Sequence, residues 1–254
     1  MAIPILSMIL GGTLHEINLN QPFDLSLPLI AGNPGPSAWY VPPVRMEPVR
    51  GEGWVGAVAE GGSVNFRDIY FNPHGHGTHT ECVGHITEIV HSVNDVVIPA
   101  FVPTQVISVE PRLSENGDAI IRLDQMRSLV EEGAEALVVR TLPNDAQKQT
   151  RNWSHTNPPY FEAAALAYLA GIGVNHLLVD LPSVDREEDG GALAGHRAFW
   201  QLDEQESPRM NATITEFIFV SDSITDGWYA LNLQTAPFVN DATPSRPLLY
   251  PIKH

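Results

Sequence analysis

The sequence predicts an α/β protein with a mixed sheet and flanking helices. Strand-like and helix-like segments alternate from Thr104 to Asp185, and two further strand-like segments follow. Residues 22–73, in contrast, are rich in Pro, Gly and Trp and show little periodicity. Hydrophobic residues make up 43% of the chain and charged residues 17%, which suits a packed core and excludes a disordered chain.

The chain opens MAIPILSMILGGTLHEINLNQPFDLS. Its apolar run from Ala2 to Leu10 lacks a preceding basic region and is too short to cross a bilayer, so residues 1–21 are expected to form a strand or arm packed on the core. LPLIAGNPGPSAWYVPPV and GEGWVGAVAEGGSVNF then read as short strands joined by long loops. TQVISVE is a strand, and RLDQMRSLVEEGA a helix with Asp124 near its start and Gly133 near its end. EALVVRT has the apolar, β-rich composition of a buried strand. TNPPYFEAAALAYLAGIG reads as a second helix, capped by Asn157, with Pro158 and Pro159 in its first turn and Gly171 at its end. HLLVDLPSVD is another buried strand running into a loop, and ATITEFIFV and GWYALNLQTAPF supply two more. No repeat or linker divides the chain, so one domain over residues 1–254 is expected.

Fourteen Lys and Arg against thirty Asp and Glu give a formal charge of −16, which repels nucleic acid and anionic membrane. A single cysteine excludes an internal disulfide and fits a reducing compartment. The expectation is a soluble, cytoplasmic protein acting on a small-molecule substrate.

The segment FNPHGHGTHTECVGHITEIVH, from Phe71 to His91, carries five of the ten histidines. His74, His76, His79, His85 and His91 are joined there by Glu81 and by Cys82. Imidazole and carboxylate are the usual ligands of zinc, manganese and similar divalent ions, so this segment reads as a metal site. His79, Glu81 and His85 have even spacing, which on an extended segment places all three on one face. A one-residue bulge at Gly75 or Gly77 would bring His74 into phase, whereas His76 would need a deletion; the spacing favours His74 over His76. Cys82 points to the opposite face and is the weaker candidate, as a nucleophile. His91 reads as a surface or supporting residue. Asp180 and Asp185 have the pattern of loop-shaping carboxylates. Trp39, Tyr40, Trp54 and Trp153 would line a substrate pocket or anchor the core or a subunit interface. Glu216, among Ile, Phe and Val, would be a buried carboxylate in need of a partner.

HGHGTHTECVGH resembles the HxGTHxDxPxH signature of the cyclase family, metal-dependent hydrolases that include bacterial kynurenine formamidase and isatin hydrolase. Phe23-Asp24-Leu25-Ser26, Val139-Arg140-Thr141 and the loop from Asp180 to Asp185 are similar to further family motifs, in the same order. The resemblance spans roughly residues 22–235. It implies a swivelling β/β/α fold assembled as a homodimer or homotetramer. It also implies one or two zinc or manganese ions, held by His79, by Glu81 as bridging carboxylate, and by distant His196 and Glu216, with His85 as the acid/base group. Gly75 stands where the first motif histidine belongs, leaving that ligand to His74 or His76. Glu81 replaces Asp and Val83 replaces Pro, which marks a divergent subgroup. The implied activity is hydrolysis of a C–N bond in a formamide, amide or lactam. An ester or lactone hydrolase, a cysteine hydrolase using Cys82, and a metal-binding scaffold without catalysis are the alternatives.

Overall fold

A computed structural model of the chain describes residues 5–32, 35–203 and 208–253. Ala2, Ile3 and Pro4 of the N-terminal apolar run lie outside the described residues. The run is otherwise the first arm of a hairpin, β1 (Ile5–Leu10) and β2 (Thr13–Asn18), turning at Gly11 and Gly12. After it come β3 (Phe23–Asp24), β4 (His79–Glu81), β5 (Val102–Val109), α1 (Leu123–Leu129) and β6 (Ala136–Thr141). Then follow α2 (Ala163–Gly171), β7 (His176–Val179), α3 (Ala194–Trp200), β8 (Thr213–Glu216), β9 (Gly227–Thr235) and β10 (Ala242–Pro251).

The strands β9-β5-β6-β7-β8-β4-β10 form one sheet that closes on itself, because β10 also pairs with β9. β5, β6, β7 and β8 run parallel, while β4, β9 and β10 join antiparallel. This is the expected mixed sheet with flanking helices. Parallel strands are covered on both faces, which explains the continuous apolar runs of β6 and β7. Ala136 and Val138 pack with Val106, Leu178, Leu231 and Leu249 inside the closed sheet. Their alternates Leu137 and Val139 pack outward with Leu166, Leu169, Phe199 and Trp200. Among the described residues no helix is long and apolar enough to cross a membrane.

Three elements differ from expectation. α1 is shorter than its sequence pattern because the Leu129 carbonyl accepts from Gln105 Nε2, 3.0 Å away, and the chain turns off there. α2 begins after Glu162 instead of at Asn157. Tyr160 and Phe161 are held extended by parallel pairing with Ile120 and Ile121, and Asn157 turns away with φ 47° to bond Asp118; tertiary pairing overrides the helix-start signal. The third is β10, not foreseen because Pro244, Pro247 and Pro251 argue against a strand.

Candidate metal centre

Strand β4 builds the centre. His79 and Glu81 project from it on one face, while Thr80 between them points the other way and its hydroxyl meets that of Thr215 at 2.8 Å. Both are completely buried, at 0% exposure. Register with β8 sets Glu216 opposite His79, and Glu216 is the last residue of its strand because Phe217 adopts φ 54°. The result is a short contact from His79 Nε2 to Glu216 Oε2 of 3.3 Å.

The turn before β4 supplies His74. Its Nδ1 lies 3.0 Å from Glu81 Oε2, and its Nε2 lies 2.8 Å from Asp241 Oδ2. His76 is directed elsewhere: Nδ1 accepts from the Asn72 amide and Nε2 bonds the Pro42 carbonyl, each at 3.0 Å. The irregularity that separates them from the strand is at Gly77, with φ 64°. Position 75 has no room for a side chain. A Cβ there would come within 2.7 Å of a Val41 methyl, so a histidine at the motif position would drive into the Val41 side chain.

His85 does not sit on an extended segment, contrary to the spacing argument. It belongs to a 3-10 turn, Val83–Ile86, and the turn forms because Gly84 packs directly on the backbone of His91. A Cβ at position 84 would meet the His91 carbonyl at 2.0 Å. His85 still reaches the cluster, with Nε2 3.9 Å from Glu81 Oε2 and its ring stacked on His74 at 4.2 Å.

His196 enters from α3. Asp185 caps that helix by accepting from the Gly195 and His196 amides, and its Oδ2 takes the His196 Nδ1 hydrogen at 2.5 Å. His196 Nε2 is thereby aimed at Glu81 Oε1, 3.0 Å away. A Cβ at position 195 would meet Asp185 Oδ1 at 2.7 Å and a Leu166 methyl at 2.8 Å, so glycine there lets the carboxylate sit close on the helix. Asp185 therefore orients a histidine as well as shaping its loop. Asp180 instead pairs with Lys148, whose Nζ is 2.8 Å from its carboxylate.

The structure thus gathers His74, His79, Glu81, His85, His196 and Glu216, and adds Asp185 and Asp241. Among the described residues two sets have ligand atoms mutually within 4.8 Å, His74-Glu81-His85 and His79-Glu81-Glu216, and Glu81 belongs to both. Burial alone would lower the His74 pKa, but the Asp241 and Glu81 carboxylates outweigh it and raise it to about 10. His196 is likewise raised, against its burial, by Glu81 and Asp185. Burial pushes Glu81 up, yet the surrounding imidazoles His85 and His196 hold it well below the usual carboxylate range.

The residues fit a divalent cation on a specific ground. His79 Nδ1 is 3.2 Å from the Gly77 carbonyl, which only accepts, so Nδ1 carries the hydrogen. Nε2 faces the Glu216 carboxylate and has no hydrogen-bond partner among the described residues; nor has Glu81 Oε2, since His74 Nδ1, although 3.0 Å away, lies outside hydrogen-bond geometry. Both atoms are buried, where an unpaired polar group costs about 1–3 kcal/mol. Two acceptors turned toward one another are stabilised by a cation between them. The mixed imidazole and carboxylate set suits a divalent metal ion.

The cluster opens into a cavity of about 340 Å³, with Trp39, Asn72, Arg186 and Leu193 on its walls. Trp39 is thus a pocket residue, whereas Trp153 is buried in the core and Trp54 packs on Phe66, away from the centre. Cys82 is buried, bonds the His91 carbonyl, and has its thiol pushed up to about 11 by burial, which leaves no thiolate for a nucleophilic role.

The Cyclase family model matches residues 17–186. No curated protein matches the chain. Among solved structures, a potential metal-dependent hydrolase with cyclase activity superposes with a TM-score of 0.65 at 17% identity, covering 92% of this chain and 99% of the other. An isatin hydrolase bound to the product analogue thioisatinate gives 0.66 at 16% identity, over 92% and 93% of the two chains. Isatin hydrolase A from Labrenzia aggregata, bound to benzyl benzoate, gives 0.64 at 16%, over 92% and 94%.

Proposed function

The chain belongs to the cyclase family, and from that premise we propose that it is a metal-dependent hydrolase cleaving a C–N bond in a formamide, amide or lactam. The observation that carries the reading is the pair of buried, unpartnered acceptors, His79 Nε2 and Glu81 Oε2, inside one cluster of convergent ligand atoms. His74, His79, Glu81, His196 and Glu216 would hold one or two zinc or manganese ions. A divalent ion bound there supplies Lewis acidity, polarising a carbonyl oxygen and bringing the pKa of water toward neutrality.

The remaining work falls to the chain itself. His85 is more exposed than the other histidines of the cluster and lies at the cavity, so its Nε2 would take a proton from the attacking water and pass it to the departing nitrogen. Asp185 fixes the His196 tautomer by taking its Nδ1 hydrogen. The flat wall of Trp39 favours a planar, apolar substrate and excludes water from one side of the cavity.

Hydrolysis assays over formamides, lactams and esters, with wild type and His85→Ala, test the reading. The expected result is metal-dependent turnover that the variant loses while keeping its metal. Turnover that survives chelation refutes it, and metal binding with no turnover on any substrate class would leave a non-catalytic scaffold. Preference for esters would move the chemistry to an ester or lactone hydrolase.

A further inference from the structure

We propose that Asp241 is a positioning residue that orients two histidines of the centre at once, fixing a ligand that comes from position 74 in the turn instead of from motif position 75. This inference rests on the reading that His74 and Glu81 help hold a cation. His74 stands in the turn before β4 and not on the strand itself. Its ring is fixed instead by Asp241, whose Oδ2 lies 2.8 Å from His74 Nε2.

The same oxygen lies 3.3 Å from His85 Nδ1. A carboxylate accepts, so both outer nitrogens donate to it, and the inner nitrogens, His74 Nδ1 and His85 Nε2, are left directed at Glu81 Oε2 at 3.0 and 3.9 Å. The two rings are stacked nearly parallel, with 29° between their planes, which one shared acceptor on their common edge accounts for. Asp241 itself is fixed by backbone. Its carbonyl accepts from the Cys82 amide at 3.0 Å, and its neighbour Ala242 lies opposite Glu81 in the β10–β4 register. Asp241 thus ties the orientation of His74 and His85 to the strand that carries Glu81, and serves a ligand and a proton carrier together.

The test compares wild type, Asp241→Ala and Asp241→Asn. Nitrogen-15 histidine spectra of the metal-free proteins should show slowly exchanging, hydrogen-bonded N–H protons at His74 Nε2 and His85 Nδ1 in wild type. Both should vanish in the alanine variant and return in part in the asparagine variant, which keeps an oxygen acceptor, while the His196 Nδ1 proton held by Asp185 stays in all three. Zinc titrated into each protein should bind about 10- to 100-fold more weakly to the alanine variant, with asparagine intermediate. Unchanged proton signals and zinc affinity in the alanine variant would overturn the proposal. If wild type shows both protons but takes up no zinc, the cation reading fails while the anchoring role of Asp241 stands. If the alanine variant does not fold, the asparagine variant decides: its zinc affinity must fall, with its melting temperature close to wild type.

Discussion

Two buried polar clusters lie against the same sheet and differ in one respect, whether they are closed. At the ends of β6 and β7, Lys148 Nζ bonds the Thr141 carbonyl at 2.5 Å, the Thr141 hydroxyl at 2.8 Å and Asp180 Oδ2 at 2.8 Å. Asp180 also accepts from the Thr141 amide and hydroxyl. One positive charge meets one negative charge, and every donor of the ammonium is used. At β4 and β8, by contrast, two carboxylates and several imidazoles converge with acceptor atoms left over. Burial and charge are common to both clusters. Incomplete partnering separates a place for a ligand from an ion pair that braces the fold.

Glu81, which belongs to both ligand sets, gives the largest contrast. Removing one preorganised group from a catalytic centre costs about a hundred- to a thousandfold, and Glu81→Ala should cost at least that in turnover. It should also lose bound metal, measured by elemental analysis of the purified protein. A variant that retains full metal content would show that the two sets do not share this carboxylate.

Opening the closed cluster should have the complementary effect. Lys148→Met strands the Asp180 carboxylate, and breaking a buried pair on one side costs about 3–5 kcal/mol. Denaturant unfolding should report that loss, while zinc affinity of the folded protein remains at the wild-type value. The double change Lys148→Met with Asp180→Asn should recover part of the stability. Next in size is the effect of metal on folding. Zinc at a hundred times its dissociation constant should add about 3 kcal/mol to wild type and to Lys148→Met, and nothing to Glu81→Ala.

Much of this contrast was legible in the residues. Even spacing on a strand placed His79 and Glu81 on one face, and a carboxylate in an apolar run marked Glu216. The same rule misplaced His85, because the close approach of Gly84 to His91 that turns the chain is a tertiary contact with no periodic signature. Asp185 was read as a loop-shaping carboxylate, but its carboxylate caps α3 and reaches the ring of His196, eleven residues on, which a local turn pattern does not show. Asp241 was missed entirely. It lies 167 residues from His74 in an ordinary Asn-Asp loop, and only the closure of the sheet by a proline-bearing strand brings it to the centre. β-strand closure is a long-range property, so local pattern carries no trace of it.

The smallest expected effect compares two buried histidines. His196 and His176 are 2% and 3% exposed, yet their pKa values move in opposite directions. Among the described residues no carboxylate pairs with His176; its Nδ1 bonds the Thr213 hydroxyl at 2.9 Å. Burial first, then the Arg209 charge, lowers it from 6.5 to about 4. Between those values the unfolded chain takes up a proton that the folded chain refuses. Its contribution is therefore whole above pH 6.5 and is lost as the pH falls toward 4. Going from pH 7 to pH 5 should remove about 2 kcal/mol through this residue. His176→Gln should flatten that part of the stability profile, measured by urea unfolding of the metal-free protein at each pH. A slope unchanged by the substitution would mean that His176 stays protonated in the fold, and that an imidazole walled in without an acid is tolerated as a cation after all.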